Sequence, residues 1–64
     1  MKDFFGKTLN VGDSVLFYNY KRQTMMVAKV LELGVKMVAL EYTLDGLTYT
    51  YPEYQCGVVK VENL

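Results

Sequence analysis

The pair Asp45-Gly46 stands between two runs of strand-forming residues. Asp-Gly is the pair that a two-residue type I′ hairpin turn prefers, because both central positions need positive φ. Glu41-Tyr42-Thr43 is therefore expected to pair antiparallel with Thr48-Tyr49-Thr50. The second arm, Leu47-Thr48-Tyr49-Thr50-Tyr51, alternates with a period of two, as a strand with one buried face does.

Similar punctuation recurs along the chain. Gly12-Asp13 turns into the apolar run that follows, since glycine tolerates positive φ and aspartate bonds nearby backbone. A first strand is expected from Ser14 to Tyr18, and the polar stretch Asn19 to Thr24 reads as a loop. Met25 to Leu33 reads as a second strand, broken at Leu33-Gly34, and Val35 to Tyr42 as a third. Helix competes over Thr24 to Tyr42, where Met, Ala, Leu, Glu and Lys favour it. Gly34 and the β-branched Val27, Val30, Val35 and Val38 oppose it. Pro52 removes a backbone donor and is expected to end the fourth strand. Pro52-Glu53-Tyr54-Gln55 suits one helical turn, and Val58 to Val61 a short closing strand. Met1 to Leu9 reads as an irregular lead-in, pinned by Phe4 and Phe5 and turned at Gly6-Lys7. The fold class is all-β: one small antiparallel barrel of about five strands over residues 1–64.

At 64 residues with 52% hydrophobic content, such a domain buries only about 60% of the surface its unfolded chain exposes. One cysteine and no histidine leave no intramolecular disulfide and no metal site. The absence of histidine also leaves no imidazole for general acid–base work at neutral pH. Cys56, lacking a histidine partner, reads as a buried, inert thiol. Asp3, Asp13, Glu32, Glu41, Asp45, Glu53 and Glu62 have no metal-loop spacing, and no glycine-rich phosphate loop is present. The chain is read as a non-enzyme without cofactor. Seven basic and seven acidic residues cancel, which weakens the case for nucleic acid. No apolar run is long enough to span a membrane. The start lacks the apolar core of a secretory signal, and with one unpaired cysteine the cytoplasm is the expected location.

Three groups of residues are candidates for contact. The segment Tyr18-Asn19-Tyr20-Lys21-Arg22-Gln23 sets two tyrosines beside two cations. Aromatic rings stack on bases and cations meet phosphates, while Tyr and Arg are also enriched at protein interfaces. A plain solvated loop has the same composition. Tyr42, Tyr49, Tyr51 and Tyr54 form a second group, suited to core or rim, with Tyr51 and Tyr54 the candidates for a binding surface. The third follows from alternation. If Val15, Phe17, Ala28, Val30, Val38, Leu40 and Tyr42 point inward, then Leu16, Val27, Leu31, Met37 and Ala39 point outward. That outer face is too apolar for a solvated sheet, so Leu16, Val27, Met37 and Ala39 are candidate interface residues. Bulges or the Phe4-Phe5 segment are the alternative cover.

Short strands punctuated in this way resemble a Src-homology-3-like (SH3-like) small barrel. The opening Gly12-Asp13-Ser14-Val15-Leu16-Phe17, followed by Ala28-Lys29-Val30, resembles the KOW type of ribosomal proteins and transcription elongation factors. Ala28 stands where that family normally has glycine. Tyr51-Pro52-Glu53-Tyr54 with Val58-Val59-Lys60-Val61 resembles the turn and last strand that close such barrels. The overall style is similar to small accessory proteins of bacteriophages. The KOW resemblance implies nucleic-acid binding, to RNA or DNA.

The favoured function is a non-catalytic protein-binding or adaptor module, with a protein as partner. A nucleic-acid-binding accessory protein is the alternative. Self-association into a homodimer is also expected, through a sheet edge or the apolar outer face. A far-ultraviolet circular dichroism spectrum dominated by strand, without helical character, is the expected outcome for this fold.

Overall fold

The computed structural model describes residues 1–61; Glu62 lies outside the described residues. Five strands form one antiparallel sheet: β1 (Ser14–Asn19), β2 (Thr24–Leu33), β3 (Met37–Leu44), β4 (Leu47–Tyr54) and β5 (Val58–Lys60). Their spatial order is β4-β3-β2-β1-β5. The first four strands are a meander, and β5 returns to lie beside β1. No ladder joins β4 to β5, so the expected closed barrel is an open sheet among the described residues.

The alternation read from the sequence holds where it matters for the core. Val15, Phe17, Ala28, Val30, Val38, Leu40, Tyr42, Tyr51 and Val58 are buried with Leu9 in one cluster. Phe17 is its centre, with ring centroids 5.2 Å from Tyr51 and 6.1 Å from Tyr42. A bulge interrupts β2, where Val30 pairs with Leu40 but Glu32 pairs with Ala39. The extra residue resets the parity, so Leu33 pairs with Val38 and packs on the core instead of facing out.

The Asp45-Gly46 turn has φ of 52° and 79°, the left-handed pair of a type I′ hairpin. Glu41 pairs with Thr50 and Thr43 with Thr48 as expected. Such a turn makes Leu44 and Leu47 a hydrogen-bonded pair, and the pattern then alternates along the ladder. Ala39 and Pro52 therefore form a non-hydrogen-bonded pair. The missing Pro52 N–H faces the free edge, where it breaks no bond of the sheet. This is why Pro52 does not end β4, which runs on to Tyr54. The helical turn expected at 52–55 lies instead at Gln55–Gly57, as 3-10 helix.

Other boundaries shift for identifiable reasons. β1 extends to Asn19 and β2 begins at Thr24, because these two residues pair across the hairpin. β3 begins at Met37 rather than Val35, since Gly34 N–H donates to the Met37 carbonyl and ties off the turn. Cys56 is exposed on the 3-10 turn, not buried.

The N-terminal segment has no strand or helix of its own, as expected of a lead-in, but hydrogen bonds order it. Lys2 and Thr8 form a β-bridge, Leu9 N–H donates to the Met1 carbonyl at 2.8 Å, and Gly6 turns with φ of 82°. Phe4 and Phe5 do not pin it, for both are largely exposed. The pin is Asp3. Its Oδ1 accepts from the N–H of Phe5 at 2.9 Å and of Lys7 at 2.7 Å, and its Oδ2 accepts from Lys60 N–H at 2.7 Å. Phe4 N–H donates to the Val58 carbonyl. The outer edge of β5 is thus capped at both residues that face away from β1.

Burial alone would raise the Asp3 pKa. The backbone donors of Lys60, Lys7 and Phe5, with the Lys7 charge, outweigh it and hold the carboxyl below its ordinary value. Asp3→Asn turns one acceptor oxygen into a donor and is expected to cost about 1.5–3 kcal/mol in urea unfolding. A native pKa below the unfolded one means that this stabilisation is complete above roughly pH 4 and is lost as pH falls through the native value. The acid limb of the stability curve should be shallower in Asp3→Asn than in the parent.

Candidate functional site

The β1–β2 hairpin ends in the turn 20–23, and its backbone is held from below. Asn19 is fully buried. Its Oδ1 accepts from the N–H of Lys21 at 3.0 Å and of Arg22 at 3.2 Å, the local bonding that asparagine provides in turns. Its Nδ2 reaches the Met26 sulfur at 3.5 Å. Tyr20 N–H donates to the Tyr51 hydroxyl at 3.3 Å. Gln23 takes the left-handed conformation that closes the turn.

Arg22 lies over the end of the core. Its guanidinium carbon is 4.8 Å from the Tyr49 ring centroid and 5.8 Å from that of Tyr42, within cation–π range. Its Nε–H donates to the Tyr42 hydroxyl at 3.3 Å. Tyr42 and Tyr49 are stacked, with centroids 5.3 Å apart, as their cross-strand pairing places them. The Arg22 hydrogen bond holds the Tyr42 hydroxyl below its ordinary pKa, against the opposing effect of burial.

The candidate contact residues therefore separate into different roles. Tyr51 is a core residue whose hydroxyl supports the turn. Arg22 is engaged with two tyrosines of its own chain. Tyr18 and Tyr20 form an edge-to-face pair with centroids 4.9 Å apart, Tyr20 being 71% exposed and Tyr18 37%. Lys21 is exposed beside them. Tyr54 is exposed but lies at the opposite end of the sheet, paired with Met37 at the start of β3.

The outer face is divided too. Register sets Val59, Leu16 and Val27 in a row, with Tyr18 and Met25 above them. Met25 and Val27 are about half exposed, whereas Leu16 is partly buried. Lys29 pairs with Glu41, and Glu41 with Thr50. These polar residues separate that patch from Ala39, Met37, Pro52 and Tyr54. Two shallow grooves flank the divide. One of about 330 Å³ has Ser14, Val27, Lys29, Glu41 and Thr43 in its lining. The other, of about 180 Å³, is lined in part by Met37, Ala39 and Pro52.

A family model described as Domain of unknown function (DUF7205) matches residues 1–61. The chain belongs to this family. No curated protein and no solved structure matches it. The matched residues of this DUF7205 member include every element described above, from the Asp3 pin to β5.

Sequence reading places Asn19 in the exposed contact segment and misses its role as the buried support of the turn. The signal lies in its residue type: an asparagine two and three positions before the N–H groups of a tight turn. The loss of Arg22 should be readable in tyrosine chemistry. In an ultraviolet pH titration, Arg22→Ala is expected to move one tyrosine ionisation to higher pH. Lys21→Ala should move it less, because the lysine acts on Tyr42 only through its charge.

Proposed function

We propose that this DUF7205 member is a non-catalytic protein-binding module on an SH3-like arrangement of strands, with its contact centred on Tyr18 and Tyr20. The observation that carries this reading is the exposed Tyr18–Tyr20 pair on a turn whose backbone is already satisfied. A pre-ordered turn loses little entropy on binding, and tyrosine is enriched in interface cores. Met25 and Val27 extend the apolar area beside the pair, and methionine adapts to varied partners.

The SH3-like part of the proposal draws on the strand order β4-β3-β2-β1-β5 and the 3-10 turn between β4 and β5. The KOW likeness draws on Gly12-Asp13. Gly12 N–H donates to the Val30 carbonyl and Val30 N–H to the Asp13 carbonyl, clipping the turn to β2. Nucleic acid is the less favoured ligand. Arg22 is engaged within the chain, leaving Lys21 as the cation beside the exposed rings, and the chain is neutral overall. A single exposed Cys56 fits a reducing compartment such as the cytoplasm.

The test is affinity capture from the native cell with the parent and with Tyr18→Ser plus Tyr20→Ser, followed by direct titration of the recovered protein. The double variant is expected to weaken binding at least ~10-fold with unchanged thermal unfolding. Equal binding by both proteins would overturn the assignment. Tight binding of single-stranded RNA that falls steeply with salt would favour the nucleic-acid reading instead.

A further inference from the structure

The edges of the sheet are protected unevenly. On β5 the outward Val58 carbonyl is taken by Phe4 N–H, and the outward Lys60 N–H by Asp3. On β4 the alternation set by the Asp45-Gly46 turn points the backbone groups of Thr48, Thr50, Pro52 and Tyr54 away from β3. Gln55 N–H donating to the Lys36 carbonyl agrees with that parity. Pro52 has no N–H to offer. The Tyr54 N–H is taken by its neighbour, the Glu53 carboxylate, at 2.9 Å. Among the described residues no hydrogen bond reaches the outward N–H of Thr48 or Thr50. The unguarded stretch is thus Leu47–Tyr51, which carries no charge, and Leu47 within it is 60% exposed. Unpaired edges of this kind template strand addition.

We propose that this open stretch of β4 pairs with the same stretch of a second copy, antiparallel about a two-fold axis at Tyr49. This goes beyond the contact at Tyr18 and Tyr20, which belongs to the β1–β2 hairpin and not to the backbone edge of β4. The register follows from the two stops that bound the stretch. With Tyr49 opposite the partner's Tyr49, Thr48 lies opposite the partner's Thr50. Each such pair exchanges both N–H···O bonds, so every outward donor and acceptor of the two threonines is used. The ladder ends before Pro52, which falls opposite the partner's Gly46, already in the turn. Sliding the strands by two residues either way brings Pro52 opposite Thr48 or draws the turn into the ladder. Antiparallel self-pairing satisfies both copies with one surface, as a two-fold interface requires. On the outer face it stacks threonine on threonine, a favourable cross-strand pair. On the inner face it sets Leu47 beside the partner's Tyr51.

The test is light scattering after size exclusion, over a dilution series reaching ~500 μM. Amide exchange at Thr48 and Thr50 is followed in parallel. A dimer mass is expected at the top of the series, with both amides protected there and exchanging freely on dilution. Thr50→Pro removes an outward donor that the chain's own ladder does not use. It should weaken the dimer at least ~10-fold while the diluted monomer keeps its circular dichroism. Thr48→Lys plus Thr50→Lys tests the same edge without altering backbone chemistry and should act in the same direction. A monomer throughout would overturn the proposal. So would a dimer that withstands these variants but dissociates with Val27→Lys, since that result assigns the contact to the outer face. Protection of Thr48 and Thr50 that arises only with a different protein bound would assign the edge to a foreign strand and equally overturn the second copy as occupant.

Discussion

The Asp3 carboxylate ties the two ends of the described chain together. It gathers backbone donors from the turn after it and from β5, and it is nearly buried in doing so. A carboxylate with three N–H partners is a charged hub of low tolerance, because any gap leaves a charge poorly solvated. Its position explains how a three-residue strand persists at a sheet edge. β5 is held on one side by β1 and on the other by the segment that Asp3 folds. The sheet is open, yet this flank behaves as a closed one.

The other end of the molecule is built from neutral and cationic groups. Asn19 and the Tyr51 hydroxyl receive the N–H groups of the turn, and Arg22 lies across the Tyr42–Tyr49 stack. The aromatic residues therefore divide by depth along the same strands. Phe17, Tyr42 and Tyr51 build the interior, Tyr49 bridges to the rim, and Tyr18 with Tyr20 is left facing solvent. The backbone of that turn is already hydrogen-bonded, so the proposed contact would lose little entropy on binding.

Local chemistry made much of this legible. The Asp45-Gly46 pair specified a turn and with it the Tyr42–Tyr49 stack, because turn type fixes register. Strict alternation named the inward residues of β1, β3 and the first half of β2. Long-range choices were not legible. Nothing in Met1 to Leu9 announces that Asp3, and not Phe4 or Phe5, makes the attachment, since its Lys60 partner is distant in sequence. Arg22 looked available because its tyrosine partners lie on other strands. Pro52 is hard to read for a different reason. Its effect depends on which side of the strand lacks a neighbour, and one sequence in isolation does not show which strand is at the edge.

The bulge at Leu31 separates two lengths of β2 that keep opposite parity. Below it, every inward residue is counted from Val30; beyond it, every one is counted from Leu33. The molecule therefore has a local tolerance for counting error. A one-residue deletion at Leu31 would straighten the strand and leave Glu32 opposite Ala39 and Leu33 opposite Val38, on the faces they already occupy. Such a length change is milder there than elsewhere in the strand, where the loss of one residue reassigns the faces of a whole segment.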